Sequence, residues 1–328
     1  MPALALSPES SGRRGDLRYI HNALLPRACD EPTIMWTFLL FAALVLVLVG
    51  LLAAVFITRN RFDHHRRSVV DTLRAAAAAP PTPVYRTKNG ADLPPPVRRY
   101  LHHVLQDEQP CIRTARLRQT GTFRSGDAAS PWSDFTATQH VTTSPPGFVW
   151  EASIAMLPGL SVQVLDAYTN GHGLLQARLG GVVPVADPTP GPALDEGELL
   201  RYLAESPLYP TALLPGMGVT WTAVDDHSAR ATLTDNDTTV SLLFHVNDRN
   251  EVERVTGKRP FLTDEGTYET RPWRGTWRAY ERRSGMRVPT EGEVAWIHPD
   301  GEASYWRAHV DPIEYELAEP AAAAPEHS

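Results

Sequence analysis

Three polar side chains, Gln119, Gln139 and Asp166, stand where strand alternation assigns an apolar face. A buried amide or carboxylate needs partners, because an unmade hydrogen bond inside a protein costs about 1–3 kcal/mol. Two chemistries follow. In one, the three line the polar end of a cavity and hold a ligand's headgroup, with Trp150, Tyr168, Trp277 and Trp296 as its apolar walls. In the other they satisfy one another or cap a strand edge. Asp166 also opens a hydrolase reading, as an acid or base paired with a nearby His or Glu. No residue is singled out as catalytic.

Signatures for cofactor or metal chemistry are missing. The chain has no GxGxxG, GxxxxGK, GxSxG, HExxH or CxxC, so no cofactor and no metal is expected. Asp235-Asn236-Asp237 lacks the glycine and distal glutamate of a calcium loop and reads as a hairpin turn. The adjacent His102-His103 diverge on a helix, and His140, His172, His227, His245 and His309 show no metal spacing. A net charge of −7 argues against nucleic acid as a partner, since that function favours a basic stripe.

The position of these residues relative to a membrane is set by the run from Ile34 to Ile57, 24 residues without a charge. As a helix it reaches about 36 Å, against a hydrocarbon core of roughly 30 Å. The run is too long for a signal h-region and passes directly into Arg59 and Arg61, so an uncleaved single transmembrane helix over 34–57 is expected. The membrane is then a partner through that segment, and the location is a bacterial cell membrane. Cys29 and Cys111 fall on opposite sides of the span and cannot pair within one chain. Arg59, Arg61, Arg66, Arg67 and Arg74 follow it; Arg14, Arg18 and Arg27 precede it. The positive-inside rule therefore points the C-terminal domain to the cytoplasm. Residues 1–33 have no period and read as disordered, as does the tail 318–328, and Met35 is an alternative start to Met1.

Residues 58–90 read as a juxtamembrane basic helix, with Phe62, Val69, Val70 and Leu73 as its apolar points, then a spacer opened by Pro80-Pro81-Thr82-Pro83. From 91 to 317 the chain reads as one antiparallel β domain. Its first helix shows the stripe Val97, Tyr100, Leu101, Val104, Leu105. Thereafter the period is two, as in Phe135, Ala137, Gln139, Val141 or Val240, Leu242, Phe244, Val246. Asn170-Gly171 and Pro299-Asp300-Gly301 punctuate the runs, as does Ser125-Gly126-Asp127. About ten strands with one apolar face need a second layer or a sheet that closes on itself. Asp195 and Glu198 predict a capping box opening a helix over 195–206, and the apolar segment 207–216 is expected to lie across the open sheet face.

Leu93-Pro94-Pro95-Pro96-Val97-Arg98-Arg99-Tyr100-Leu101, Pro145-Pro146-Gly147-Phe148-Val149-Trp150, Glu198–Glu205 and Pro210–Pro215 together resemble a bacterial family of single-span membrane-anchored domains. That family has no assigned activity, so the resemblance carries over no catalytic residue. Tyr280 and Gly285-Met286-Arg287-Val288-Pro289, with the strands to Tyr315, are similar to the closing strands of LolA-like lipoprotein-carrier domains. This likeness implies a mainly β fold: an antiparallel, strongly curved half-barrel with one or two covering helices. It also implies an extracytoplasmic domain, opposite to the charge flank. The reading is a membrane-anchored, non-catalytic binder of a lipid or other apolar ligand. Its alternatives are the Asp166 hydrolase and a protein-recruiting scaffold using Arg116, Arg118 and Arg124.

Overall fold

The computed structural model describes residues 31–90, 92–125, 129–263 and 265–319. Most of the ends expected to be disordered, 1–30 and 320–328, and most of the turn at 125–127 lie outside them, while 31–33, expected to be disordered, are helical. The chain divides into two compact units, Met1–Ala53 and Ala54–Ser328.

The described part of the first unit is the start of helix α1 (Glu31–Ala76). Pro32 is tolerated in its first turn, where an amide would have no intrahelical partner. From Met35 to Ala53 every side chain is exposed, with no polar face, so this stretch is long and apolar enough to cross a membrane.

In the second unit α1 continues to Ala76, four residues before Pro80. The strands β1 (Val84–Tyr85) and β2 (Gln109–Pro110) pair around α2 (Pro95–Val104), whose buried stripe is Val97, Tyr100, Leu101 and Val104. Next come β3 (Ile112–Phe123), β4 (Ser133–Thr143), β5 (Pro146–Leu157), β6 (Leu160–Thr169), β7 (His172–Leu179) and β8 (Val183–Ala186). Helix α3 (Pro192–Glu205) and 3-10 turns at Ser206–Leu208, Pro210–Leu213 and Pro215–Met217 follow. The chain returns through β9 (Val219–Ala223), β10 (Ser228–Asp235), β11 (Thr238–Val246) and β12 (Val252–Leu262). It closes with β13 (Tyr268–Arg283), β14 (Met286–His298) and β15 (Gly301–Leu317).

Strands β3 to β15 form one antiparallel sheet of 13 strands. The chain starts mid-sheet at β3, meanders out to the edge β8, crosses with α3 to the other edge β9, and meanders back until β15 pairs with β3. Helix α3 touches β5, β6 and β7 on one wing and β11 and β12 on the other. Strands so far apart in the sheet meet one helix only when the sheet curls around it, and Tyr168 on β6 bonds Asp235 on β10 across the gap at 2.8 Å. The fold is thus mainly β, a curled half-barrel with α3 in its concavity.

More strands form than the alternation revealed. In β7 the adjacent pair Leu174-Leu175 breaks the period because both sheet faces are covered there. Leu175 packs against the inner core, and Leu174 packs on the outer face with Phe62, Val70 and Leu73 of α1. In β12, Lys258-Arg259-Pro260 hides the pattern. The capping box does not form. α3 begins earlier, with Gly191 as N-cap and no side-chain cap, so Asp195 lies in the first turn and accepts the Gly173 amide instead. Glu198 points into the core.

Candidate functional site

The concavity holds a continuous chain of polar contacts embedded in apolar packing. Trp150 donates its indole N–H to Gln119 Oε1 at 2.8 Å, and Gln119 donates Nε2 to Gln139 Oε1 at 2.8 Å. Gln139, fully buried, donates Nε2 to Glu205 Oε2 at 2.5 Å. Arg201, one helical turn before Glu205, donates Nε to its Oε1 at 2.8 Å and Nη1 to Asp166 Oδ2 at 2.5 Å. Its guanidinium also covers the rings of Phe148 and Trp150, at 4.7 and 4.9 Å from the centroids.

Beyond Asp166 lies Glu198. Asp166 Oδ1 and Glu198 Oε2 are both buried without a donor, and the two carboxyls stand within hydrogen-bonding reach of each other. Burial first, then the Asp166 charge, pushes the Glu198 carboxyl well above its ordinary range, with Arg259 and Arg201 opposing. Arg259 on β12 reaches Glu198 Oε1 at 3.4 Å and Tyr305 Oη at 3.5 Å, and Trp273 donates to the same hydroxyl at 2.9 Å. Three carboxyls therefore face two guanidiniums, and the upward shift of Glu198 reduces the uncompensated negative charge, as an interior of low dielectric favours.

Of the residues singled out from sequence, Gln119, Gln139, Trp150 and Asp166 come together in this network. Tyr168 is buried on the same wing but bonds Asp235 instead; burial and that carboxylate raise its phenol pKa. Trp277 donates to the Ala204 carbonyl of α3 at 3.1 Å. Trp296 is half-buried away from the helix, stacked 5.9 Å from Tyr305 and edge-on to Phe261. Sequence reasoning missed Glu198, Arg201, Glu205, Arg259 and Tyr305. The available signal was the spacing of Glu198, Arg201 and Glu205, charges at helical intervals in a stretch, 197–205, that is otherwise free of charge.

The concavity is filled. Leu199, Leu203, Leu208, Tyr209 and Leu213 are fully buried in it. Two clefts, of ≈ 80 and ≈ 70 Å³, lie at the spacer and at the Arg74–His140 contact; neither is lined by Asp166 or Glu198. Every backbone–backbone hydrogen bond made by 192–217 among the described residues stays within the segment or its flanking glycines. It is held to the sheet through side chains alone: those above, Thr211 Oγ1 accepting the Ile112 amide, and Trp221 and Tyr315 donating to the Leu213 and Leu208 carbonyls.

These features define an antiparallel half-barrel whose concavity is plugged by its own edge-to-edge crossover. Residues 91–315 match a family of unknown function, DUF6920, and the chain belongs to that family. It is similar in fold to a LolA superfamily protein from Nitrosomonas europaea, at 9% identity and a TM-score of 0.34 over 62% of this chain and 86% of that one. A beta-barrel-like protein of the domain of unknown function DUF1849 from Brucella abortus is also similar, at 10% identity and a TM-score of 0.20 over 63% of this chain and 98% of that one. Likenesses this distant carry no argument about ligand or role. No curated protein matches the chain.

Proposed function

We propose that the chain is a membrane-anchored, non-catalytic binder of a lipid or other apolar ligand, with the stretch 34–57 as its anchor. The ligand replaces the 192–217 segment against the inner sheet face. One observation carries the reading: among the described residues that segment makes no backbone-to-backbone hydrogen bond to the sheet, so it can leave without breaking a ladder. The surface it uncovers includes Phe135, Trp150, Trp277 and Trp306, and an acyl chain laid there gains about 0.8 kcal/mol per buried CH₂. Gln139 and Asp166, released from α3, would then face the ligand's polar end together with Gln119. Hydrolysis has less support, because Arg201 occupies Asp166 and neither of those two clefts is lined by it.

Native mass spectrometry of the full chain in detergent tests this. Exchangeable lipid adducts are expected, with higher occupancy in Trp277→Phe, which loses its bond to the Ala204 carbonyl but keeps a ring. No adduct at any lipid loading, in either protein, would leave the scaffold reading, which the filled concavity favours.

A further inference from the structure

We propose that the tips of the β5–β6 and β7–β8 hairpins rest in the surface layer of the bilayer that α1 crosses. The inference rests on the anchoring reading above. Large apolar side chains are exposed at these tips: Met156, Leu157 and Leu160 around Pro158-Gly159, and Val183 and Val185 on the edge strand β8, with Leu157 at 66% and Val183 at 55%. The tips are neighbours, since the Gly180 amide donates to the Ser161 carbonyl at 2.8 Å.

Their position along α1 identifies the occupant. From Phe62 to Leu73 the helix lies along the outer face of β5, β6 and β7. Leu73 stands beside Gly147 at the start of β5, whereas the Arg59 side chain stands beside Gly181 in the β7–β8 turn. Arg178 covers Phe62 at 4.7 Å, fixing that end of the helix against β7. Arg59 is the second residue beyond the apolar run. A tip level with Arg59 is therefore level with the bilayer surface if the run is embedded. Arg59, Arg61 and Arg67 are exposed on the same stretch and suit anionic headgroups. An edge strand with outward valines is an aggregation hazard in water, and burial in lipid removes that hazard.

The test uses the full chain in vesicles of phosphatidylethanolamine and phosphatidylglycerol, with Cys29→Ser and the buried Cys111 retained. Single nitroxides are placed by Leu157→Cys, Val183→Cys, Leu46→Cys in the apolar run and His172→Cys at the opposite end of β7. Collision with oxygen and with an aqueous nickel reagent reads their depth. Labels at 157 and 183 are expected about 5–10 Å into the headgroup and acyl boundary, with 46 deeper and 172 in water. Labels at 157 and 183 as open to nickel as 172, while 46 remains deep, would overturn the tip docking and leave the anchor standing. An aqueous label at 46 would instead remove the anchor and the docking with it. Shielding from both reagents with dipolar broadening would mean that a second copy covers the patch, which also overturns the proposal.

Discussion

The sheet is covered on both faces, and the two covers are built on opposite principles. Outside, α1 lays Phe62, Val70 and Leu73 on Val149, Leu165 and Ala167, an apolar contact bordered by arginines. Inside, α3 brings Glu198, Arg201 and Glu205 into a charged network among aromatic rings. An apolar contact is tolerant in register and weakens gradually when trimmed. A buried charge network accepts one arrangement and fails sharply when one member is lost. The outer cover suits permanent attachment, and the inner one suits a plug with a defined closed state.

Replacing a single network member should do the most damage. Arg201→Met leaves Asp166 and Glu205 uncompensated, and a loss of about 3–5 kcal/mol is expected in urea denaturation of the full chain followed by tryptophan fluorescence. The triple variant Asp166→Asn, Arg201→Met, Glu205→Gln should recover most of it; no recovery would show that the network is not the reason. On the outer face Leu73→Ala should cost about 3 kcal/mol. Hydrogen exchange should then rise in 60–76 and not in α3, and a rise in both would erase the contrast between the covers.

The smallest effects are in pH dependence, and they run in opposite directions. Burial first, then the Asp166 charge, holds the Glu198 carboxyl well above its ordinary 4.5 in the folded chain. Its stabilisation is complete below 4.5 and is lost as the pH rises through the raised folded value. His140, on the outer face beside Arg74, is held down to about 4 by burial and by the Arg74 and Arg116 charges. Its contribution is present above 6.5 and is lost as the pH falls toward about 4. Glu198→Gln should flatten the alkaline side of the stability profile and leave the acid side intact. An unchanged alkaline side would mean that Glu198 is ionised in the folded state.

Much of the architecture was legible along the chain because it is periodic or local. The alternation of Phe135, Ala137, Gln139 and Val141 placed their inward face, and the stripe from Val97 to Val104 placed α2. Asn170-Gly171, both at positive φ, marked the β6–β7 turn. Legibility failed where two faces are covered at once, as at Leu174-Leu175, because an alternation of polar and apolar needs one wet side. It failed also at Asp195, where the helix start depended on Pro192 and on an amide from Gly173 in another element.

For the polar interior, parity along the strands identified Gln119, Gln139 and Asp166 as inward-facing, and composition and length marked the apolar stretch before them. The partners were beyond reach. Arg201 and Asp166 are 35 positions apart, and Arg259 and Glu198 are 61 apart. By itself the sequence determined periods, turns and the apolar run, since each depends on neighbours within a few residues. Only the curl of the sheet decided which charges meet, that burial beside Asp166 raises the Glu198 carboxyl, and that the concavity is occupied by the chain's own crossover. Those outcomes depend on distance in space, to which sequence separation is no guide.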